Sequence, residues 1–336
     1  MTARSRGKRP RLTLRRSRGA VSVVDQLRDI ERDGGDGELD FGGRKRLRVS
    51  SLNKQYFATA GVSKGGLMAY YAAVANILLP IIKDRPLILK RYPEGVPGPS
   101  FFQQNAGSHV PPGVRTAIVS TADGAAKRFI GGDLITLLYT VQLGAIGVHT
   151  WQARIRTPSS ADTATIDLDP ADGLPFRDVV RVAKVIGTEL DRLALHAAIK
   201  TSGSSGIHIA LPLPARTGFD TGAELASLIA ARVVDTIPEL ATLERSVRAR
   251  PAGTVYVDAQ QNSQGKSVVA AYSVRERPKA TVSAPIEWRE LTPSLRLESF
   301  SIETMPNRIR TKGDPWTAAL RRHNSRQALE RALRDA

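Results

Sequence analysis

Apolar residues recur along this chain in blocks whose spacing changes from helical to strand-like and back. Over 176–195, Val179, Val182, Ile186, Leu190 and Leu193 fall three and four apart, which predicts an amphipathic helix. A second helix is expected over 63–79, where Ser63 is a natural N-cap, Leu67, Tyr71 and Ala75 share a face, and Pro80 follows. Others are predicted over 21–31, 133–143, 221–236 and 315–336. The last sets Leu320, Leu329 and Leu333 against Arg321, Arg322 and Arg326. Strands are predicted at 86–89, 148–151, 163–169, 196–201, 207–212, 254–258 and 267–272. Residues 91–105, rich in proline and glycine, read as a loop carrying Phe101 and Phe102, and 202–206 as a glycine-serine turn. Strands with helices packed behind them make an α+β pattern, and no internal repeat is apparent.

Composition narrows the partners. The 336 residues carry a net charge of +17, and an enzyme this basic usually handles a polyanion, most often nucleic acid. Eight basic residues and no acid lie between Arg4 and Arg18. The expected organisation is a basic, flexible N-terminal arm over 1–46, a compact domain over 47–316 and a C-terminal helix over 317–336. The arm either lies along phosphates or serves only as a solubilising tail. The absence of cysteine excludes disulfides, thiol catalysis and zinc ribbons. Residues 4–18 lack the apolar core of a secretory signal, and the most apolar run, 72–82, is too short to span a bilayer. A cytoplasmic protein with no membrane contact is expected.

The candidate chemistry starts at Ile166-Asp167-Leu168-Asp169. On a strand the two acids leave the same face, about 7 Å apart, while Leu168 points into the core. Two such carboxylates repel unless a cation lies between them. Hard divalent ions suit oxygen ligands, and two-metal sites hold them roughly 3.5–4 Å apart for phosphoryl displacement. Asp258, ending a second apolar strand, is a candidate third carboxylate. Taken alone, Asp-x-Asp also suits a turn before Asp172-Gly173 or a metal-dependent phosphatase. The segment Lys200-Thr-Ser-Gly-Ser-Ser-Gly-Ile-His208 can turn backbone amides and hydroxyls toward phosphate oxygens, or can be an ordinary hairpin. His149 and His208 are either phosphate contacts or satisfied core histidines. Arg275 and Arg277 suit a triphosphate clamp, and Phe101 and Phe102 can stack on bases or tuck under their loop.

Together these segments resemble the polymerase domain of bacterial ligase D, within the archaeo-eukaryotic primase superfamily. The resemblance runs in consistent order from Val49 to Trp316. It includes Arg85-Pro-Leu, Lys90-Arg-Tyr-Pro93, Phe101-Phe-Gln103, His149-Thr-Trp151, Ile166-Asp-Leu-Asp-Pro170, Lys200-Thr-Ser-Gly, Gly206-Ile-His208, Val257-Asp258, Gln261-Asn262, Tyr272-Ser-Val-Arg275, Val282-Ser-Ala-Pro285 and Gly313-Asp-Pro-Trp316. It implies an archaeo-eukaryotic primase fold without a zinc motif: an RRM-like catalytic sheet over about 147–290 plus an N-terminal α/β module. Asp167, Asp169 and Asp258 would hold two divalent cations, Mn2+ or Mg2+. His149, Ser202, Ser204, His208, Arg250, Gln261, Asn262 and Arg275 would lie at an incoming NTP or dNTP, with ribonucleotides preferred. Phe101 and Phe102 would meet the template strand, and Lys54 and Lys64 a 5′-phosphate. DNA at gaps, primer-template junctions or broken ends would be the substrate. Ku and a separate DNA ligase would be partners, in the bacterial cytosol or nucleoid. Two departures stand out: Ser205 and Gln104 occupy positions where the family usually has lysine, and Arg250 fits its position only with a one-residue offset. The rival is a non-catalytic DNA-end-binding factor that kept the fold.

Overall fold

A six-stranded sheet forms the centre of the molecule. The computed structural model describes residues 21–121 and 124–335. Strand order in the sheet is Ala241–Thr242, Val255–Asp258, Thr163–Pro170, Ile207–Pro212, Ala198–Thr201 and Pro285–Ile286. The first pair is parallel and the rest are antiparallel. Alternation decides which residues face which way. Ala164, Ile166 and Leu168 of the central strand are fully buried, and Ile207, Ile209 and Val257 extend the same apolar face. The helices Phe176–Arg192 and Phe219–Thr236 cover it, presenting Val179, Val182 and Ile186 from one and Leu225, Ile229 and Val233 from the other. Each such side chain contributes about 1.5–3 kcal/mol by leaving water. With one face sealed, the alternate residues are displayed on the other.

A second sheet, ordered Ser267–Val269, Ala145–Trp151, Leu87–Arg91 and Phe101–Gln103, is antiparallel throughout. It is backed by the helices Lys64–Ala73 and Leu134–Gln142, and Tyr71 donates its hydroxyl to the Ile146 carbonyl at 2.6 Å. The expected strands at 148–151 and 267–272 thus belong here, not beside the carboxylates. The sheet draws strands from both sides of the expected boundary at 147.

Several other expectations change. The folded part starts well before Leu47: the helix Val23–Arg32 and the hairpin of Gly37–Asp40 with Arg46–Val49 insert Leu27 and Leu39 into the main core. A flexible arm over 1–46 is therefore too long, and Val23, Ile30 and Phe41 pack against the same core as well. Residues 4–18, the basic segment itself, lie outside the described residues. The helix expected over 63–79 is two, Lys64–Ala73 and Ala75–Ile82, bent by 81°. The break comes at Val74, whose carbonyl accepts from both Ile77 and Leu78 and starts the second helix. Phe101 and Phe102 sit on a paired strand, not in a loop. The C-terminal helix is also divided, into Pro315–Leu320 and Arg326–Asp335. Between them Asn324 exchanges hydrogen bonds with both backbone groups of His196 and donates to Pro212. Among the described residues no single helix is long and apolar enough to cross a membrane.

Candidate active site

Strand register brings together residues far apart in sequence. Asp258 lies opposite Asp167, Asp167 opposite His208, and His208 opposite Lys200. Four polar residues thus form one transverse line across four strands, on the face the helices leave open. Asp169, two residues on from Asp167, shares that face beside Tyr256.

The electrostatics of the line are unusual. Burial, followed by the charges of Asp169 and Asp258, pushes the Asp167 carboxyl up to about 7, with Lys200 and Arg275 opposing. Asp258 Oδ1 accepts from Tyr256 Oη at 3.2 Å and from the Gln260 amide at 2.7 Å, and Oδ2 accepts from Gln261 Nε2 at 2.9 Å. Asp169 is half exposed and accepts from Arg250 Nη1 at 3.2 Å. The Arg250 guanidinium also lies over the Tyr256 ring. Each outer carboxylate is thus turned to a different donor. Among the described residues no three acidic or histidine side chains are drawn into a ready metal cage. The donor set nevertheless fits hard cations: three carboxylates, with the central one resisting ionisation because of its burial and then its neighbours' charge.

The wall beside the carboxylates is basic. Lys200 Nζ lies 2.9 Å from His208 Nδ1 and 2.8 Å from Ser283 Oγ, and His208 Nε2 lies 3.4 Å from Asp167 Oδ1. Burial and then Lys200 hold the His208 imidazole well below its usual range, so it is neutral. His149, on the second sheet, is pushed down to about 4 by burial and Arg275. Its Nε2 is buried with no hydrogen-bond partner among the described residues, as a group awaiting a ligand would be. In the glycine-serine turn, Ser202 Oγ accepts from the backbone N–H groups of Ser204, Ser205 and Gly206. Those bonds leave the Ser202 hydroxyl proton available. Gly206 is required: a Cβ there would lie 1.8 Å from the Leu168 carbonyl oxygen. Arg275 donates to the Ser202 carbonyl at 2.7 Å, and Arg277 Nε donates to Ser204 Oγ at 2.9 Å. Lys90, Ser204, Arg275, Glu276 and Arg277 line a polar cavity of about 340 Å³. Burial works against the Glu276 charge, yet Arg275 and Lys90 hold its carboxyl down at about 2. A larger cavity of about 610 Å³ adjoins Lys200 and His208 between the two sheets, with an apolar lining that includes Ala210, Val269 and Trp316.

The family description "LigD, primase-polymerase domain" matches residues 63–316. The chain belongs to the LigD primase-polymerase family. It is 31% identical over 290 residues to the multifunctional non-homologous end joining protein LigD of Pseudomonas aeruginosa, covering 86% of this chain and 34% of that protein. It is 32% identical over 272 residues to the bifunctional LigD of Bacillus subtilis, covering 81% of this chain and 44% of that protein. The chain therefore spans less than half the length of these curated relatives. Among solved structures, the polymerase domain of Mycobacterium tuberculosis ligase D, in complex with DNA, matches with a TM-score of 0.77 and 31% identity. That match covers 84% of this chain and 100% of that one. The α+β architecture is thus the archaeo-eukaryotic primase fold, and the enzyme class is a DNA-directed nucleotidyltransferase.

Within this LigD-type frame the remaining expected residues fall into groups. Asp167, Asp169, Asp258, His208, Ser202, Ser204, Arg275, His149 and Arg250 are linked into one group by strand register, hydrogen bonds and charge interactions. Asn262 does not present a free amide: it is buried, pairs with both backbone groups of Thr165 and donates to Ala259. Its place is that of a strut under the central strand. Gln261 acts on Asp258. Lys54 and Lys64 lie close enough to interact in the N-terminal module, where Lys54 pairs with Glu94 at 2.7 Å. Lys64 donates to the Ser50 carbonyl, and burial and then Lys54 push its ammonium down to about 8. Phe101 and Phe102 are exposed, flanked by Arg91 and Lys90. Gln104, one of the two departures, accepts from Arg128, so a cation still occupies that neighbourhood. Lys200 and Tyr256 carried no assigned role in the sequence reading. A lysine in an apolar strand could have drawn notice, but its partner is set by register with His208, which the sequence does not print.

Proposed function

We propose that this protein extends DNA strands, transferring nucleotides from NTP or dNTP, with ribonucleotides preferred, at gaps or broken ends during end-joining repair. The observation that carries the reading is the transverse line Asp258–Asp167–His208–Lys200. It sets an acidic half of the site against a neutral or basic half, as a reaction between a 3′-hydroxyl and a triphosphate requires.

Asp167, Asp169 and Asp258 would hold two divalent cations, Mg2+ or Mn2+. When bound, these supply Lewis acidity toward the attacking 3′-hydroxyl and charge neutralisation at the leaving pyrophosphate. The Ser202 hydroxyl, His208, Arg275 and the unpartnered Nε2 of His149 would bind the nucleotide. Phe101 and Phe102 would stack against template bases, with Lys90 and Arg91 behind them. Lys54 and Lys64, near the N-terminus of the Lys64–Ala73 helix, would receive a 5′-phosphate. An end-joining role would bring Ku and a separate ligase as partners, in the cytoplasm.

The test is extension of a labelled primer on gapped DNA, with and without a 5′-phosphate, using Mn2+ and ribonucleotides. Wild-type protein is expected to add nucleotides, more efficiently with the 5′-phosphate present. Asp167→Ala should lower the rate at least a thousandfold while DNA binding persists. DNA binding by the wild type without incorporation under any divalent metal would instead favour the end-binding factor.

A further inference from the structure

The strand Val255–Asp258 stops at Asp258, opposite Asp167, and does not reach Thr165 on the central strand. The side chain of Asn262 takes the missing place. Its Oδ1 accepts from the Thr165 N–H at 2.7 Å, and its Nδ2 donates to the Thr165 carbonyl at 2.8 Å and to the Ala259 carbonyl at 2.7 Å. The backbone decides which end of the amide lies where, since an N–H only donates and a carbonyl only accepts. The turn 259–262 is tied down in this way, and within it the Gln260 N–H donates to Asp258 Oδ1 at 2.7 Å. A second amide reaches the same turn from the other sheet. Gln152 follows the strand Ala145–Trp151, which carries His149, and its backbone carbonyl accepts from Arg85. Its buried side chain donates through Nε2 to the Gln261 carbonyl at 2.7 Å, so its Oε1 faces Thr165 Oγ1 and accepts from it at 3.1 Å. None of these bonds to Gln152 involves an ionisable side chain other than the Arg85 guanidinium.

We propose that Gln152 is a positioning residue for Asp258: it locks the turn 259–262 to the second sheet and so fixes the third carboxylate against Asp167. This inference rests on the polymerase reading for its purpose, since a carboxylate that holds a divalent cation needs a fixed direction. It does not rest on that reading for its geometry. Asn262 holds the turn from within the catalytic sheet, whereas Gln152 holds it from the sheet that bears His149. The two walls of the site are thereby tied together at one buried amide. Without that amide, the Gln261 carbonyl and the Thr165 hydroxyl lose a partner each, and the turn is free to shift toward others. Gln152 also lines the larger cavity between the sheets, whose apolar surroundings accept a methionine of the same length.

Two measurements on the full chain decide it, neither of which needs turnover. Amide hydrogen exchange read by NMR in chelator should show the Gln260 N–H exchanging about tenfold faster or more in Gln152→Met, while the helix Phe176–Arg192 keeps its protection. Titration with Mn2+, followed by electron paramagnetic resonance, should show affinity lowered about tenfold or more in the same variant. Thr165→Val, which leaves the bond from Gln152 to Gln261 in place, should change both readings less. Gln152→Leu gives the same readings should the methionine variant not fold. Unchanged exchange at Gln260 in a folded Gln152 variant overturns the proposal. So does faster exchange with unaltered Mn2+ affinity, which would make Gln152 a structural link alone. A wild type that takes up no Mn2+ would refute the polymerase reading, and exchange at Gln260 would then decide by itself whether Gln152 places Asp258.

Discussion

Asp167 sits where the fold works against its own charge. Its carboxyl, at about 7 in the folded protein, ordinarily ionises at 3.8. Between those values the unfolded chain releases a proton that the folded chain keeps, so stability falls as pH rises from about 4 to 7 and stays lower above. The full difference corresponds to at most about 4 kcal/mol. Asp167→Asn removes the titrating group. The variant should therefore unfold several degrees higher than wild type in chelator at pH 8, with the gap closing toward pH 4. Mn2+ should raise the melting temperature of wild type more than that of the variant, since cations bind the carboxylates of the folded state. Parallel melting curves across pH would contradict the assigned electrostatics. The same residue shows what a sequence can carry. Alternation on a strand places Asp167 and Asp169 on one face with no further information, whereas Asn262, equally polar, is consumed by Thr165 in a way no spacing reveals.

At the level of elements, the glycine-serine turn and the strand ends around it form the wall proposed to face the triphosphate. Ser205 leaves the turn without the lysine that the sequence resemblance implies there, and Arg277 reaches across to Ser204, one residue away. If Arg277 supplies the missing charge, Arg277→Ala should raise nucleotide KM about tenfold, and Ser205→Lys on that background should restore much of the loss. Additive, independent effects of the two changes in a double-mutant cycle would separate the sites. The long amphipathic helix and the strands at 163–169, 207–212 and 254–258 were legible because each carries its own period. What was not legible depended on partners distant in sequence. The 81° bend at Val74, the pairing of Phe101 and Phe102 with Leu87–Arg91, and the division of the C-terminal helix by Asn324 are all decided by tertiary contacts. The same limit hid Lys200, whose meaning comes only from lying opposite His208.

Over the whole molecule, two sheets face each other across the cleft, one carrying the carboxylates and the other His149, Lys90 and the exposed Phe102. Around this frame the net charge is +17, and eight of the basic residues fall between Arg4 and Arg18. A primer-template junction carries a phosphate about every 1.7 Å of duplex axis, and each one neutralised releases counterions, with a salt slope near −0.9 per contact. The proposed nucleotide and metal residues account for only a few phosphates at the 3′-end. The eight basic residues at 4–18 carry charge that can neutralise further phosphates. Replacing these residues with glutamine should therefore weaken DNA binding strongly at low salt and flatten the plot of log affinity against log salt by about 3–4, equivalent to roughly four phosphate contacts. Nucleotide KM, measured at saturating DNA, should not move, because the residues proposed to hold the triphosphate lie in the cleft. An unchanged slope would assign the segment to solubility alone. A changed nucleotide KM would place it inside the active site, against the separation of DNA grip from nucleotide grip that the two-sheet architecture implies.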